Sequence, residues 1–210
     1  LASQMLNDPA VTKSPKMLEH ISNIIKDETK RLTFQVDKVL QMSVFERENI
    51  KMELQENNIN EIIQTIAENY SLKIHSKGGN LYTDLQAHNA FVNIDEMHFG
   101  NIIYNLLDNA VKYSREDTPI IITISTWNNN KDNLFIAIED NGIGIKKEDQ
   151  KHIFDKFYRV PTGNRHDIKG FGLGLSYVKK IVQLHKGQIK VESEPNIGTK
   201  FVIELKTIEI

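Results

Sequence analysis

Asn101, Asn105 and Asn109 recur at four-residue steps in the stretch NIIYNLLDNAVKYS, and Lys112 follows them. Asparagine is a weak helix former, costing roughly 0.5 kcal/mol relative to alanine, so its repetition asks for a reason. On a helical projection, Phe99, Ile102, Ile103, Leu106, Leu107, Ala110 and Tyr113 form an apolar stripe. The asparagines and Lys112 form a second stripe along its edge. A carboxamide oxygen is a hard, neutral ligand. It binds Mg²⁺ directly or through water without setting another negative charge beside a phosphate chain. Lys112 offers a point charge for a phosphate. A solvated polar face would also use these residue types, so the neighbouring segments decide.

Asp140 belongs to EDNGIGI (139–145), at the end of a run in which Leu134, Ile136 and Ile138 share its parity. Side chains alternate faces along a strand, so Asp140 points the way the core residues point. A buried carboxylate needs donors, and an adenine amino group is a natural one. Gly142 and Gly144 let the backbone lie against a flat ring. GFGLGL (170–175) opens the last long helix, where glycines bring backbone N–H groups close to an anion at the positive helix end. It is neither the G-x-x-x-x-G-K-[ST] phosphate loop nor the G-x-G-x-x-G fingerprint. Between them, FDKFYRV (154–160) offers Phe154, Phe157 and Tyr158 as loop anchors, and Arg159, Arg165 and Lys169 as cations of a lid over phosphates.

The elements that must hold these groups follow from pattern. Ser14 and Pro15 suit the N-cap and first position of a helix whose apolar residues, from Met17 to Leu40, recur at three- and four-residue steps as far as about Glu48. Residues 1–8 read as the end of a preceding helix. Beyond Asn49, KMELQ is a short strand, and a helix follows from Asn58 or Asn60. KGGNLYTDLQ is a turn into a strand, AFVNI another strand, and Asp95 caps the helix of 96–113. PIIITISTW and NLFIAIED alternate with period two around an NNNKD loop, and a short helix lies near 146–153. A helix over 172–186 stops with Gly187 as its C′ residue, before a hairpin of GQIKVESE and GTKFVIELK. The fold class is α+β. A mixed, mostly antiparallel sheet carries helices on one face in a two-layer sandwich, preceded by a long bundle helix. The domains are 1–48, helical, and 49–210, which holds the site.

Composition bounds the rest. The chain has 210 residues, 40% hydrophobic and 26% charged, with net charge −2. No general pull toward nucleic acid or an anionic membrane is expected from that balance. The absence of cysteine excludes disulfides and thiolate metal sites. No apolar run approaches the roughly 18 residues of a membrane span. The opening LASQML, without methionine, reads as a piece of something longer.

Together these segments resemble the ATP-binding domain of bacterial sensor histidine kinases, within the gyrase, heat-shock chaperone and mismatch-repair ATPase superfamily. NIIYNLLDNAVKYS matches the asparagine box, DNGIGI a glycine box, FDKFYR the phenylalanine box, and GFGLGL with Gly198-Thr199 the remaining glycine boxes, in the family's order. The resemblance implies ATP and Mg²⁺ as cofactors. Asp140 would bind the adenine amino group, and Asn109 would hold Mg²⁺ with Asn105 nearby. Asn105, Lys112 and Arg159 would be the catalytic side chains, the latter two on phosphate, and Tyr113 would pack by the base or ribose. Gly142, Gly144, Ile145, Lys169, Gly170, Phe171, Gly172, Leu173, Gly174, Leu175 and Thr199 would line the nucleotide.

The resemblance also implies that residues 14–48 are the second helix of a dimerisation and phosphoacceptor hairpin. The parent would be a homodimer through a four-helix bundle, with this portion cytoplasmic and the parent anchored in the inner membrane. Its phosphoryl group would pass to a histidine and then to an aspartate of a response-regulator receiver domain. His20, between Glu19 and ISN, does not fit the acceptor motif H-[ED]-x-x-[TN]-P. The expectation is a chain that binds ATP with Mg²⁺ without autophosphorylating. Two alternatives are a clamp-type ATPase, which would need an acidic residue where Asn101 or Asn105 stands, and a nucleotide-binding interaction module.

Overall fold

The computed structural model describes residues 14, 16–26, 28–29, 51–129, 133–160 and 172–208. The chain divides into two compact units, Leu1–Glu48 and Asn49–Ile210. In the first, residues 16–26 are helical, with Ile21 buried and His20 exposed. The Ser14 carbonyl accepts the N–H groups of Met17 and Leu18 at 3.0 Å, which starts the helix. The expected helix end at 1–8 and the stretch 30–48 lie outside the described residues.

The second unit runs β1 (Gln55–Asn58), α1 (Ile59–His75), β2 (Asn80–Leu85), β3 (Phe91–Ile94), α2 (Glu96–Lys112), β4 (Ile121–Asn128), β5 (Asn133–Asp140), a 3-10 turn (Asp149–Lys151), α3 (Gly174–Leu184), β6 (Gln188–Glu194) and β7 (Gly198–Lys206). Five strands form one sheet in the order β2-β4-β5-β7-β6, and β1 pairs with β3. β2 and β4 are parallel, and the other pairs are antiparallel. This is the expected mixed sheet. Ile122, Ile124, Leu134, Ile136, Ile138, Phe201, Ile203 and Leu205 share the buried face. α1 packs on β2, α2 on β5 and α3 on β6, while α2 touches both other helices. α2 buries Phe99, Ile102, Ile103, Leu106, Leu107, Ala110 and Val111 along its core stripe.

Caps explain where the helices start. Asn58 accepts from the Asn60 N–H at 3.1 Å, and Asp95 from the His98 N–H at 3.0 Å. The second oxygen of Asp95 takes the Glu53 N–H at 3.0 Å. That bond removes Glu53 from any strand ladder, so β1 starts at Gln55 rather than at Lys51 as the sequence suggests. Burial pushes the Asp95 carboxyl up, but the N–H groups of His98 and Glu53 hold it below the ordinary carboxylate value. The Asp95 N–H donates to His185 Nε2 at 2.9 Å, and His185 Nδ1 bonds the Ile181 carbonyl at 2.9 Å. His185 is thus a core histidine fixed in its neutral form, and burial pushes its pKa down.

The end of α3 differs in one detail from expectation. Lys186, not Gly187, takes the left-handed conformation, with φ 59°. Its N–H bonds the Gln183 carbonyl, and the Gly187 N–H bonds that of Val182, which makes Gly187 the C″ residue of a Schellman motif. Glycine is needed there for space. A Cβ would stand 2.6 Å from the Glu204 carbonyl oxygen.

Among the described residues no helix is long and apolar enough to cross a membrane.

Candidate functional site

The site begins at the end of β5. Asp140 lies opposite Ile122 on one side and Thr199 on the other, so it shares the buried face with Ile138 and Phe201. It stands at the rim, beside a cavity under the C-terminal end of α2. One wall carries Asn109 and Tyr113 from α2, and the floor carries Asp140, Thr199 and Phe201 from the sheet. A second wall comes from Ile143, Gly144 and Ile145, and the far side from Ile153, Tyr158, Arg159, Val160 and Leu175. Apolar side chains flank a few polar groups, the usual make-up of a small-molecule site.

The Asp140 carboxylate has backbone donors. The Gly142 N–H gives to Oδ1 at 2.8 Å. Burial outweighs that bond and the one from Thr199, and pushes the pKa up to about 6. A charged, largely dry oxygen therefore faces the cavity at neutral pH, ready for a further donor.

The glycine loop is pressed between its neighbours. A Cβ on Gly144, at φ 67°, would lie 2.0 Å from the Glu194 carbonyl oxygen. One on Gly142 would lie 2.6 Å from the Tyr113 carbonyl oxygen, and one on Gly198 1.9 Å from that of Asp140. The Ile143 N–H bonds the Tyr113 carbonyl at 3.0 Å. Tyr113 departs from the expected core stripe for this reason. The helix stops at Lys112, and Tyr113, as C-cap with φ −104° and ψ 20°, turns its ring to the cavity while Val111 fills the core.

Several expected residues stand apart from this cavity. Asn105 donates to the Asn101 carbonyl at 2.8 Å, and its Oδ1 sits 2.9 Å from where a Cβ on Gly174 would be. Asn105 thus faces the first turn of α3, one helical turn from Asn109. The Lys112 Nζ lies 4.9 Å from the centre of the Tyr113 ring. Gly142 lies behind Asp140 rather than in the cavity wall. α3 starts at Gly174 rather than at 172, because Gly172 has φ 72°. Leu173, buried, is its N-cap and offers no side-chain cap, so the first N–H groups of α3 have no side-chain acceptor of that kind. Lys169, Gly170, Phe171 and Arg165 lie outside the described residues, as does most of the expected lid.

The segment after the glycine loop is fixed by Phe154 and Tyr158. Phe154 packs edge-on against Phe201 at 6.3 Å, and the Tyr158 hydroxyl donates to buried Asp149 at 2.6 Å. Phe157 does not anchor on the core as its type suggests. It is 62% exposed, because its backbone takes φ 64° to bring its N–H to the Gly172 carbonyl at 3.0 Å. The short helix expected near 146–153 is only the 3-10 turn.

Ile143, Ile153, Tyr158, Val160 and Phe201 line the cavity and were not expected there. Phe201 was readable in principle, since it follows Thr199 by two positions and so shares its face. Ile153 and Val160 carry no pattern in sequence. No group of three or more His, Cys, Asp or Glu that could hold a metal occurs among the described residues. A larger hollow of about 490 Å³ crosses the outer sheet face between Ile121, Glu139, Glu192 and Lys200. Glu139 and Lys200 pair there at 3.5 Å; Asp140 and Thr199 border this hollow as well, whereas Asn109, Tyr113 and Phe201 line only the smaller cavity on the other face.

Residues 94–209 match the family described as histidine kinase-, DNA gyrase B-, and HSP90-like ATPase. The chain is 54% identical to the sensor protein RprX of Bacteroides fragilis over 209 residues, covering 100% of this chain and 40% of that protein. It is 36% identical to the signal transduction histidine-protein kinase ArlS of Staphylococcus aureus, covering 91% of this chain and 41% of that one. The chain therefore spans about two fifths of the length of these relatives. A crystal structure of full-length ShkA in complex with AMPPNP shares the fold, with a TM-score of 0.77 at 20% identity over 94% of this chain and 40% of that one.

Proposed function

The chain belongs to the histidine kinase-, DNA gyrase B-, and HSP90-like ATPase family, and on that premise we propose that its second unit is the ATP-binding catalytic part of a sensor histidine kinase. The observation that carries this is Asp140, a largely buried carboxylate facing a cavity walled by Asn109, Tyr113 and a close-packed glycine loop. The carboxylate accepts the exocyclic amino group of adenine, and Gly144 admits the flat base. Tyr113 lies beside base or ribose. The triphosphate runs toward Asn105, Lys112 and the uncapped start of α3, where backbone N–H groups and the helix dipole favour negative charge. Arg159 reaches the phosphates from the far wall.

Asn109 and Asn105 are one helical turn apart with neutral oxygens, which suits Mg²⁺ held chiefly by phosphate and water. The ion, when bound, neutralises phosphate charge. The residues of this chain position the γ-phosphoryl group and accept none of it. In the whole protein that group leaves the β-γ bridging oxygen for a histidine nitrogen, and then passes to an aspartate of a response-regulator receiver domain. The whole protein is a homodimer through its helical hairpin, anchored in the inner membrane. None of the seven histidines here stands in an acceptor motif, so the chain binds ATP without autophosphorylating.

Calorimetry with AMPPNP and Mg²⁺ tests the reading. Binding that is lost in both Asp140→Ala and Asn109→Ala, with folding retained, supports it. Equal affinity in Asp140→Ala refutes it, as does a wild-type chain that binds no adenine nucleotide. An acid-labile phosphohistidine formed from labelled ATP would refute the statement about autophosphorylation.

A further inference from the structure

Arg115 stands behind the cavity and does not line it, yet its guanidinium closes a ring of hydrogen bonds through the residues that do. The Ile143 N–H donates to the Tyr113 carbonyl at 3.0 Å, and the Asn196 N–H donates to the Ile143 carbonyl at 2.8 Å. Arg115 Nη1 donates to the Asn196 carbonyl at 2.9 Å, across 81 residues of sequence. Arg115 itself follows Tyr113 by two positions, which completes the circuit. Its other nitrogens are taken by Asp117, Nε to Oδ1 and Nη2 to Oδ2, both at 3.1 Å. That bidentate pair sets the plane of the guanidinium and leaves Nη1 aimed at the turn.

The geometry points to Arg115 as a positioning residue that sets affinity for the base end of the nucleotide, by holding the turn at 195–197 against the glycine loop. The inference rests on the proposed nucleotide site. Tyr113 and Ile143 are both cavity walls, and the ring fixes the gap between them. Asn196 carries φ 63°, a conformation asparagine adopts more readily than most residues, and the Arg115 bond to its carbonyl adds to the turn's own hold on it. The Ile145 end of the loop is fastened separately. Its N–H bonds Ser193 Oγ at 2.8 Å, and Gln150 Nε2 bonds both the Ile145 and Ser193 carbonyls at 2.8 Å. Loss of Arg115 therefore loosens the Ile143 end without dismantling the loop.

The test compares wild type, Arg115→Ala and Arg115→Lys in this chain, with MgATP and with adenosine as ligands, and follows amide exchange at Asn196. Arg115→Ala weakens both ligands by about fivefold, the size of one hydrogen bond, and Asn196 exchanges faster. Arg115→Lys keeps a donor for the Asn196 carbonyl but loses the fork that Asp117 orients, so its affinity falls between that of wild type and that of Arg115→Ala. Unchanged affinity for both ligands, or unchanged exchange, overturns the inference. So does weakening of MgATP with adenosine unaffected, which would place Arg115 on the phosphates instead. A wild-type chain that binds neither ligand overturns the nucleotide site first and this inference with it. A wild type that binds while Arg115→Ala binds equally overturns this inference alone.

Discussion

At the proposed base end of the cavity, Asp140 and Thr199 face each other across a strand pair, and the backbone of Gly142 lies against that of Tyr113, and Gly144 against Glu194, too closely to leave room for a methyl group. At the proposed phosphate end the contacts are of another kind. Asn105 meets Gly174 through the tip of a side chain, and Lys112 rests over an aromatic ring at 4.9 Å. One end is set by main chain and register, the other by rotatable side chains. The difference suits their tasks. An adenine ring is rigid and gains from a rigid slot, whereas a triphosphate bends and changes charge during transfer.

The largest expected effect contrasts two glycines. Gly144→Ala places a methyl group 2.0 Å from the Glu194 carbonyl oxygen at a positive φ, with only backbone to move. It should destabilise the unit by about 3 kcal/mol, from conformational strain and overpacking together. Gly174→Ala meets only the Asn105 side-chain oxygen at 2.9 Å, in the first turn of a helix that alanine favours. Its cost should stay under about 1 kcal/mol. Urea denaturation decides, by the shift in midpoint at constant slope. Equal losses would erase the distinction between the two ends.

Asp140→Ala comes next. It should weaken ATP by about thirtyfold, the worth of a charge-assisted hydrogen bond of roughly 2 kcal/mol. Asp140→Asn carries a second, opposite expectation for the empty protein. The folded-state pKa is raised from 3.8 to about 6 by burial, so the favourable contribution of this group is complete below the unfolded value and is lost as pH rises through about 6. Asp140→Asn should therefore be more stable than wild type near about pH 7 by on the order of 1–3 kcal/mol, and should lose that advantage near about pH 3.5. The same ionisation governs ligand affinity in the other direction. Between about pH 7.5 and about pH 5, protonation of Asp140 should weaken ATP by about tenfold in wild type, a slope absent from the Asp140 variants. A flat profile in wild type would mean that the carboxylate is not the acceptor.

The proposed base end was also the more legible in sequence. Asp140 followed from the parity it shares with Leu134, Ile136 and Ile138, and Asn109 from the stripe along the edge of α2. Both patterns are local and periodic. What escaped was set by chain distant in sequence. Tyr113 left the core stripe because Ile143 takes its carbonyl, and Phe157 left the core to bond Gly172. The start of β1 was misplaced because the Asp95 side chain, 42 residues on, claims the Glu53 N–H. Arg115 carried no pattern, because its partner is a carbonyl 81 residues away. The sheet itself was readable as mixed and mostly antiparallel, since hairpins with period-two alternation leave few other arrangements.

The smallest effect is expected from Lys112, and its smallness is informative. Lys112 is half-buried at the end of α2, so its attraction to a phosphate is partly screened by water and salt. Lys112→Ala should weaken ATP by only about threefold at low salt, and by less as salt rises through the range where the Debye length falls to about 8 Å. Adenosine should bind as before, because the ammonium lies beside the Tyr113 ring rather than in the cavity floor. Chelating Mg²⁺ should reproduce that pattern more strongly, lowering ATP affinity and leaving adenosine alone, if the ion sits with the phosphates at Asn109 and Asn105. A loss of adenosine binding in Lys112→Ala would show that the Tyr113 ring depends on its cation. The two ends would then be one mechanical unit, and the contrast between rigid slot and adaptable channel would fail.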